Sequence, residues 1–443
     1  MAVDPKGQDE RCLTRTDLYG MAIGTVIGAG VMTMTGIGIG ITGKSVNIAY
    51  IIAAVIALIS AVPSILIGST ANFLGGQYSQ IGILAGKRFA GIFIYLNIAM
   101  SLSLTMSSMS FAQYFLSMVP GVNERLISMG VLTVLCLLHT VAVKNAARLQ
   151  NIMVGVVSLA ILVYLFFGLK NVRPGYFEGE EFMTGGAFGL IQTSFYLTMT
   201  LCGITYVANY SSKAKHPVKD IPFVIVTATL GAAVVFMLMG TVAAGVLPVS
   251  EVADKPLSVA AKAFMPAGAY TFFVAGGAMF ALLTTLNGGL GSKVYPLVTA
   301  SSDGWLPSMM AQRNKRFGTP HWAFLVIFML TAVPVAIGLD IGVVANSTVI
   351  LATSIRILIA FSAMRLPRVM PELWEKSSYH LSNGKVTAIC GLSMLLNGCS
   401  VVLLIFTKPA SQIIGNLTLL CLATAVALIM EKRVTLKVSY EEM

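Results

Sequence analysis

The sequence carries little charge, and it has no acidic side chain over a long early stretch. Only 11% of the 443 residues are Asp, Glu, Lys or Arg, and no Asp or Glu lies between Asp17 and Glu124. A carrier of cations or polyamines usually needs a buried carboxylate as counter-ion or proton relay. The six cysteines form no CxxC pair, and the four histidines are scattered. We therefore expect no metal site, no disulfide framework and no cofactor.

Apolar runs, in contrast, fill most of the chain. Hydrophobic residues make up 56% of the sequence, and the mean hydropathy is +0.83, well above that of soluble domains. A run of about 18 or more apolar residues can cross roughly 30 Å of hydrocarbon as a helix. The sequence predicts an all-α integral membrane protein, embedded in a lipid bilayer, with about 12 transmembrane helices. The predicted spans are residues 17–42, 46–70, 89–119, 125–143, 151–169, 185–211, 221–247, 268–296, 321–338, 341–364, 386–407 and 411–430.

The distribution of basic residues predicts the orientation. Loops assigned to the cytoplasm carry about three times as many Lys and Arg as outward loops, which favours two cytoplasmic termini. Residues 1–16 are then a cytoplasmic N-terminal segment and residues 431–443 a cytoplasmic tail. The net charge of +11 is an orientation signal rather than a nucleic-acid footprint, because no soluble face gathers it. We expect a plasma-membrane location, and the sequence does not indicate an oligomeric state.

Two spans have glycine-containing centres. In "GTVIGAGVMTM", residues 24–34, two glycines continue a four-residue repeat from Gly20, a pattern typical of close helix packing, whereas Gly30 lies off that register. The sixth span contains "TLCGITYVANYSS", residues 200–212. Corresponding interruptions in the two halves of a transporter indicate its binding site. Spans 1 and 6 therefore predict a 5+5 inverted repeat, residues 17–169 and 185–364, with discontinuous helices 1 and 6 and with residues 386–430 as two additional helices.

A broken helix suits one kind of ligand in particular. Free N–H groups at a helix restart attract an anion, and free carbonyl groups at a helix end attract a cation. A zwitterionic amino acid presents both charges about one residue apart, so a pair of broken helices could hold it without any ionised side chain. An amino acid is the substrate that we expect.

Four segments resemble the amino acid–polyamine–organocation (APC) superfamily of transporters. "GTVIGAGVM" resembles the first-helix motif, and residues 74–94 are similar to the Gly-Gly-x-Tyr segment after helix 2. "SSKAKHPVKDIP" resembles the loop after helix 6, and residues 299–323, with "DGWLP" and "TP", resemble the loop after helix 8. The resemblance covers roughly residues 17–365. It implies two inverted five-helix repeats, a central site at the breaks of helices 1 and 6, and alternating access.

The same resemblance implies the site residues. The amides of Ala29 and Gly30 would bind the substrate carboxylate, and carbonyl groups on both broken helices would bind its ammonium group. Met199 falls where relatives place a gating aromatic residue, so Thr205 and Tyr206 are candidates for gating or side-chain specificity, and Phe195 could also close the gate. The implied substrate-binding residues are Val26, Ile27, Gly28, Ala29, Gly30, Met199, Cys202, Gly203 and Ile204.

The resemblance also bears on ion coupling. Several relatives couple transport through a lysine of helix 5, but the corresponding position here, about Val157, is apolar. An exchanger or a facilitator is therefore expected, with an ion-coupled symporter as the alternative. Thr284 and Thr285 on helix 8 could ligate sodium together with helix 1 carbonyl groups. Hydroxyl groups in membrane helices often bond their own backbone instead.

Arg356, in "LATSIRILIAF", is the one formal charge that the prediction places deep within a span. Its side chain could snorkel to the interface, pair with carbonyl groups at helix ends, or contact a carboxylate on the substrate side chain. Neutral amino acids are the expected substrates, and acidic ones bound through Arg356 are the alternative. A membrane enzyme would show clustered catalytic side chains and a channel a polar filter, and neither pattern is present.

Overall fold

The computed structural model describes residues 11–141, 143–339, 349–407, 410–437 and 439–442. These residues form helices almost throughout, with a single pair of two-residue strands, β1 (Asn72–Phe73) and β2 (Tyr440–Glu441). The α-helices are α1 (Arg15–Val26), α2 (Ala29–Thr42), α3 (Val46–Gly68), α4 (Gln77–Ala85), α5 (Lys87–Ala99), α6 (Leu102–Met118), α7 (Glu124–Val141), α8 (Val143–Gly168), α9 (Gly186–Leu201), α10 (Pro217–Val246), α11 (Val249–Val252), α12 (Leu257–Phe264), α13 (Ala267–Phe272), α14 (Phe280–Asp303), α15 (His321–Ile337), α16 (Val349–Met364), α17 (Leu366–Val369), α18 (Pro371–Glu375), α19 (Asn383–Thr407) and α20 (Ala410–Met430).

Shorter helical turns connect several of these elements. The π-helical turn Phe273–Met279 joins α13 to α14 without a loop. The 3₁₀-helices are Gly43–Ser45, Leu169–Asn171, Cys202–Lys213, Ser308–Ala311 and Glu431–Arg433.

The helices are long and apolar enough for a membrane protein. Within the described residues, nine helical stretches have the length and hydropathy to cross a bilayer, and two further apolar helices are shorter. The prediction of an all-α, multi-pass membrane protein is confirmed. The number of 12 spans and the 5+5 repeat stay predictions, and residues 341–348 of the tenth predicted span lie outside the described residues.

Glycines let α1 pack closely at the centre of the bundle, where it contacts α8, α10 and α14. A Cβ atom added at Gly20 would collide with Asn151, one at Gly24 with Gln150, and one at Gly28 with Thr285. The four-residue glycine repeat is therefore a packing surface for α8 and α14. This role exists alongside the helix break described below.

Both ends of the described chain meet on one face of the molecule, which we call the terminus face. It comprises residues 11–13, 72–73, 213–215, 303, 434–437 and 439–441. Leu13 exchanges backbone hydrogen bonds with Lys213 (3.0 Å) and Lys215 (2.9 Å). β2 pairs antiparallel with β1, and Arg11 forms an ion pair with Glu441. These contacts join the N-terminal segment, the C-terminal tail and two interhelical loops. That this face is cytoplasmic stays a prediction.

On the opposite side, the segment between α8 and α9 holds the end of α2. Lys44 Nζ lies 3.0 Å from a carboxylate oxygen of Glu181, and the backbone N–H of Ser45 donates to Phe182 (2.7 Å). The Tyr176 hydroxyl donates to the Lys44 carbonyl group (2.6 Å). The hydrogen bond from Lys44 lowers the pKa of Glu181.

Candidate functional site

The first span is interrupted at Ile27–Gly28. α1 ends at Val26, Ile27 is extended (φ −77°, ψ 91°), and α2 begins at Ala29 after Gly28 (φ −154°, ψ −146°). No side chain among the described residues caps the N-terminus of α2. The N–H groups of its first turn have no partner within the helix, because an α-helix leaves its first amides unpaired. The break therefore presents donors and the positive end of a helix dipole inside the bundle.

The sixth span changes helix type instead of unwinding. α9 ends at Leu201 and runs directly into the 3₁₀-helix Cys202–Lys213, whose 12 residues make it long for its kind. The expected discontinuity at residues 200–212 is thus a tightening of the helix. A 3₁₀-helix pairs each N–H group with the carbonyl group three residues earlier, so fewer carbonyl groups are left open than an unwound segment would provide.

The two altered regions touch each other. The Thr25 hydroxyl donates to the Gly203 carbonyl group at 3.1 Å. A Cβ atom at Gly203 would lie only 3.0 Å from the Thr25 carbonyl oxygen, so glycine allows this close approach. The structure therefore brings the end of α1 against the start of the 3₁₀-helix, beside the restart of α2.

The predicted binding residues divide into two groups. The backbones of Ala29 and Gly30 lie in the open first turn of α2, where an added Cβ at Gly30 would sit 3.4 Å from Thr200. The side chains of Val26, Ile27, Cys202 and Ile204 are buried in the apolar core. In this conformation, backbone groups are what these four residues offer to a ligand.

The two predicted gating residues of the 3₁₀-helix point to different partners. The Thr205 hydroxyl donates to the Cys202 carbonyl group at 3.0 Å, within its own helix. The Tyr206 ring lies 4.9 Å from the Lys293 ammonium group of α14. Lys293 is only 3% exposed. Arg356 is therefore not the only buried cation within the spans, and our sequence analysis missed the second.

Five oxygen atoms of α1, α14 and the break lie close together. The Thr284 hydroxyl donates to the carbonyl groups of Ala281 (2.7 Å) and Ile27 (3.3 Å). The Thr285 hydroxyl donates to those of Ala281 (3.0 Å) and Gly24 (3.1 Å). The threonines bond their own helix, as expected for membrane hydroxyl groups, and also the carbonyl groups of α1. This set of oxygens is the kind of ligand set that hard cations prefer.

Helix α8 contributes a neutral amide beside this cluster, which the sequence analysis did not single out. Gln150 Nε2 donates to the carbonyl groups of Gly20 (3.1 Å) and Thr284 (3.2 Å). Its Oε1 accepts a hydrogen bond from Asn287 (2.7 Å). Val157, the position of the relatives' lysine, is 1% exposed in the apolar core. The α8 side chain beside the oxygen cluster is thus an uncharged glutamine.

Arg356 is buried among neutral acceptors. It is 8% exposed, and its Nε donates to Asn397 Oδ1 of α19 at 2.7 Å. Its Nη2 donates to Thr353 (2.9 Å) and to the sulfur of Met199 (3.0 Å). The guanidinium group joins α9, α16 and α19 through side chains. These contacts differ from both snorkelling and pairing with helix-end carbonyl groups.

Met199 also borders a cavity of about 280 Å³ between α2, α9 and α19. Phe195, the alternative gating residue, lines the same cavity. Among the described residues, the remaining lining is mostly apolar and comprises Ile37, Ile41, Gln192, Tyr196, Ser400, Leu403, Leu404 and Thr407. Met199 therefore contacts the Arg356 guanidinium group and is also open to a cavity.

Apolar spans and a helix broken at glycine define a class of protein, the multi-pass membrane transporter. The amino acid permease family matches residues 13–428, nearly the whole chain. The chain belongs to this family, and it is a transporter of the APC superfamily.

Named relatives differ in what they carry. The chain is 24% identical to a methylthioribose transporter of Bacillus subtilis, over 70% of this chain and 71% of the relative. It is 23% identical to the branched-chain amino acid permease BcaP of the same organism, over 71% and 72%. It is 25% identical to the vacuolar cationic amino acid transporter 2 of Arabidopsis thaliana, over 86% and 64%. These relatives support amino acid transport in general.

Proposed function

We propose that this protein is a secondary transporter of neutral amino acids in the plasma membrane, acting by alternating access as an exchanger or a facilitator. The observation that carries this proposal is the uncapped start of α2 after Ile27–Gly28, beside the end of α1 that the Thr25–Gly203 hydrogen bond holds against the 3₁₀-helix. A transporter fits these features better than an enzyme does, since the family and the named relatives are permeases and transporters.

The proposed recognition uses backbone groups. The amides of Ala29 and Gly30 bind the substrate carboxylate, which gains from the helix dipole. The ammonium group binds carbonyl groups at the end of α1, such as that of Ile27. The ionised side chain that contacts Met199 of α9 is cationic, since Arg356 donates to the Met199 sulfur. A cationic substrate is therefore disfavoured, and a neutral one needs no further charge.

Sodium coupling is a second candidate mechanism, and the five-oxygen cluster favours it. Thr284 and Thr285 hold their hydroxyl groups within 3.3 Å of carbonyl oxygens on both helices. A sodium ion would replace these hydrogen bonds with coordination by the same oxygens, and it would tie α14 to the break of the first span. Transport would then require sodium on the side from which the substrate enters.

The substrate class can be tested by uptake into proteoliposomes. The panel is labelled glycine, L-leucine, L-methionine, L-glutamate and L-arginine, with and without the unlabelled amino acid inside, and with sodium replaced by choline. We expect leucine or methionine uptake that internal substrate accelerates and that choline does not abolish. Uptake that needs sodium would establish the second mechanism. Uptake of glutamate alone would favour the acidic-substrate alternative, and no uptake at all would contradict the proposal.

A further inference from the structure

Lys293 is a buried lysine for which the described residues provide no hydrogen-bond acceptor. It lies on α14 and is 3% exposed, and its ammonium nitrogen has no hydrogen-bond partner among the described residues. None of the four ion pairs found among those residues includes it. A buried ammonium group without an acceptor is costly, so a native structure should supply a partner.

The cation–π contact that Lys293 makes within the described residues leaves its three N–H donors available. Its ammonium nitrogen lies 4.9 Å from the centre of the Tyr206 ring, a cation–π distance. A ring face attracts the charge but does not replace three hydrogen-bond acceptors. The lysine therefore has the capacity to bind an anion beside Tyr206.

Two buried acceptors on α4 also lack partners in the described part of the chain. The Oε1 atoms of Gln77 and Gln80 on α4 are buried and accept no hydrogen bond from the described residues. Gln77 is tied to the neighbourhood of Lys293, since its Nε2 donates to the Thr205 carbonyl group (3.4 Å), one residue before Tyr206.

A second chain of contacts joins the same two elements. The backbone N–H of Gln77 donates to Asn209 Oδ1 (3.0 Å), and Asn209 donates to the carbonyl group of Ser292 (3.0 Å), next to Lys293. Donor and acceptor groups without partners therefore lie on packed elements around Tyr206.

Lys293 lies between the helix break and the terminus face. It follows Thr285 by eight residues on α14, which corresponds to about 12 Å of helix. Asp303, ten residues further and about 15 Å away along the helix, already belongs to the terminus face. A molecule that travels from the break towards the terminus face along α14 would pass Lys293.

We propose that Lys293 and Gln77 form a second amino acid subsite on the terminus-face side of the break. Lys293 binds the substrate carboxylate, and Gln77 Oε1 accepts a hydrogen bond from the ammonium group. This inference rests on the proposed amino acid transport. It adds a second binding position, which the substrate occupies after it leaves the break. Its ligand class is an α-amino acid, because the unpartnered groups are one cation and neutral acceptors.

The experiment measures transport from each face separately. Wild type, Lys293→Met and Lys293→Arg are compared in intact cells and in inverted membrane vesicles, and accessibility of a C-terminal tag identifies which preparation exposes the terminus face. The probe is the labelled amino acid of the panel that wild type takes up fastest. Lys315→Met is the matched control, since Lys315 is an exposed lysine in the loop after α14.

We expect Lys293→Met to raise KM about tenfold at the terminus face, the effect of losing one charge-assisted hydrogen bond. KM at the other face should change less than about twofold, since the break itself is intact. Lys293→Arg should restore most of the affinity, and Lys315→Met should behave as wild type.

Equal KM changes at both faces would overturn the subsite, and so would no change at either face. An unchanged KM with a lost pH dependence of uptake would also overturn it, because Lys293 would then carry a proton instead of binding a carboxylate. Failure of wild type to transport any amino acid would contradict the proposed function itself, which is a separate result.

Discussion

The protein contains two buried cations whose surroundings differ. Arg356 is held by three neutral acceptors on three helices, with Asn397 in turn donating to Ser60 on α3 (3.1 Å). Lys293 has an aromatic ring and no acceptor among the described residues. A guanidinium group keeps its charge under all physiological conditions, whereas a buried ammonium group can lose its proton or bind an anion. Arg356, whose charge cannot be lost, is therefore the cation for which the described chain provides hydrogen-bond acceptors.

This difference distinguishes a buried charge with a structural role from one that can have a binding role. Through its hydrogen-bond partners, Arg356 links α9, α16 and α19. The missing partner of Lys293 leaves a binding capacity that a substrate can use. An intramembrane charge is a functional hypothesis by default, and the state of its hydrogen bonds decides which kind of function to test.

The largest effect should follow loss of the main acceptor of Arg356. Asn397→Leu leaves a charged N–H group buried without a partner, which costs about 1.5–3 kcal/mol of stability. The measurement is thermal unfolding of the purified protein in detergent. The double variant Arg356→Met/Asn397→Leu should regain stability relative to Asn397→Leu alone, because the charge is gone. A double variant as unstable as the sum of the two single changes would show that Arg356 is not held mainly by Asn397.

A smaller effect should follow loss of the ring beside Lys293. Tyr206→Leu removes the cation–π contact, which is worth about 1 kcal/mol, and should raise KM at the terminus face about fivefold. Tyr206→Phe keeps the ring face and should leave KM unchanged. If both variants lower affinity equally, the hydroxyl group rather than the ring acts on Lys293.

The smallest effect should follow loss of the carboxylate partner of Lys44, a third cation. The side chain of Glu181 is 44% exposed, so Glu181→Gln should cost no more than about 0.5 kcal/mol. The Lys44 hydrogen bond lowers the pKa of Glu181 below its usual 4.5, so the contribution is present above that pH. It should be lost as the pH falls through the lowered pKa.

The measurement is unfolding of wild type and Glu181→Gln at pH 7 and at pH 4 or below. The difference between the two proteins should shrink at the lower pH. A difference that persists there would mean that the contact acts through packing and not through charge.

Much of the architecture follows from composition and spacing. Apolar runs predict the membrane helices, and the glycine pattern of residues 20–30 locates both the packing face and the break at Ile27–Gly28. Glycine serves two purposes there. The repeat allows close packing against α8 and α14, and Gly28 also lies at the break between α1 and α2.

The form of the sixth span was not predictable in the same way. The segment "TLCGITYVANYSS" indicates an interruption of the α-helix. Whether the segment unwinds or tightens depends on tertiary contacts such as Thr25–Gly203 and Gln77–Thr205. Sequence reasoning also missed Lys293, which lies three residues before the predicted end of the eighth span at residue 296. Its burial depends on tertiary packing, since α4, α5 and the 3₁₀-helix all pack against α14.

Binding of labelled panel amino acids to purified Gly30→Val tests most directly whether the substrate lies at the break. An added Cβ at Gly30 meets Thr200 at 3.4 Å, so the fold should tolerate the change while the larger side chain covers the open amides of α2. Gly231→Val on α10, where a Cβ meets no atom within 4 Å, is the matched control. We predict that wild type and Gly231→Val bind, and that Gly30→Val unfolds at a similar temperature but does not bind. Binding of Gly30→Val with wild-type affinity would contradict the proposed site.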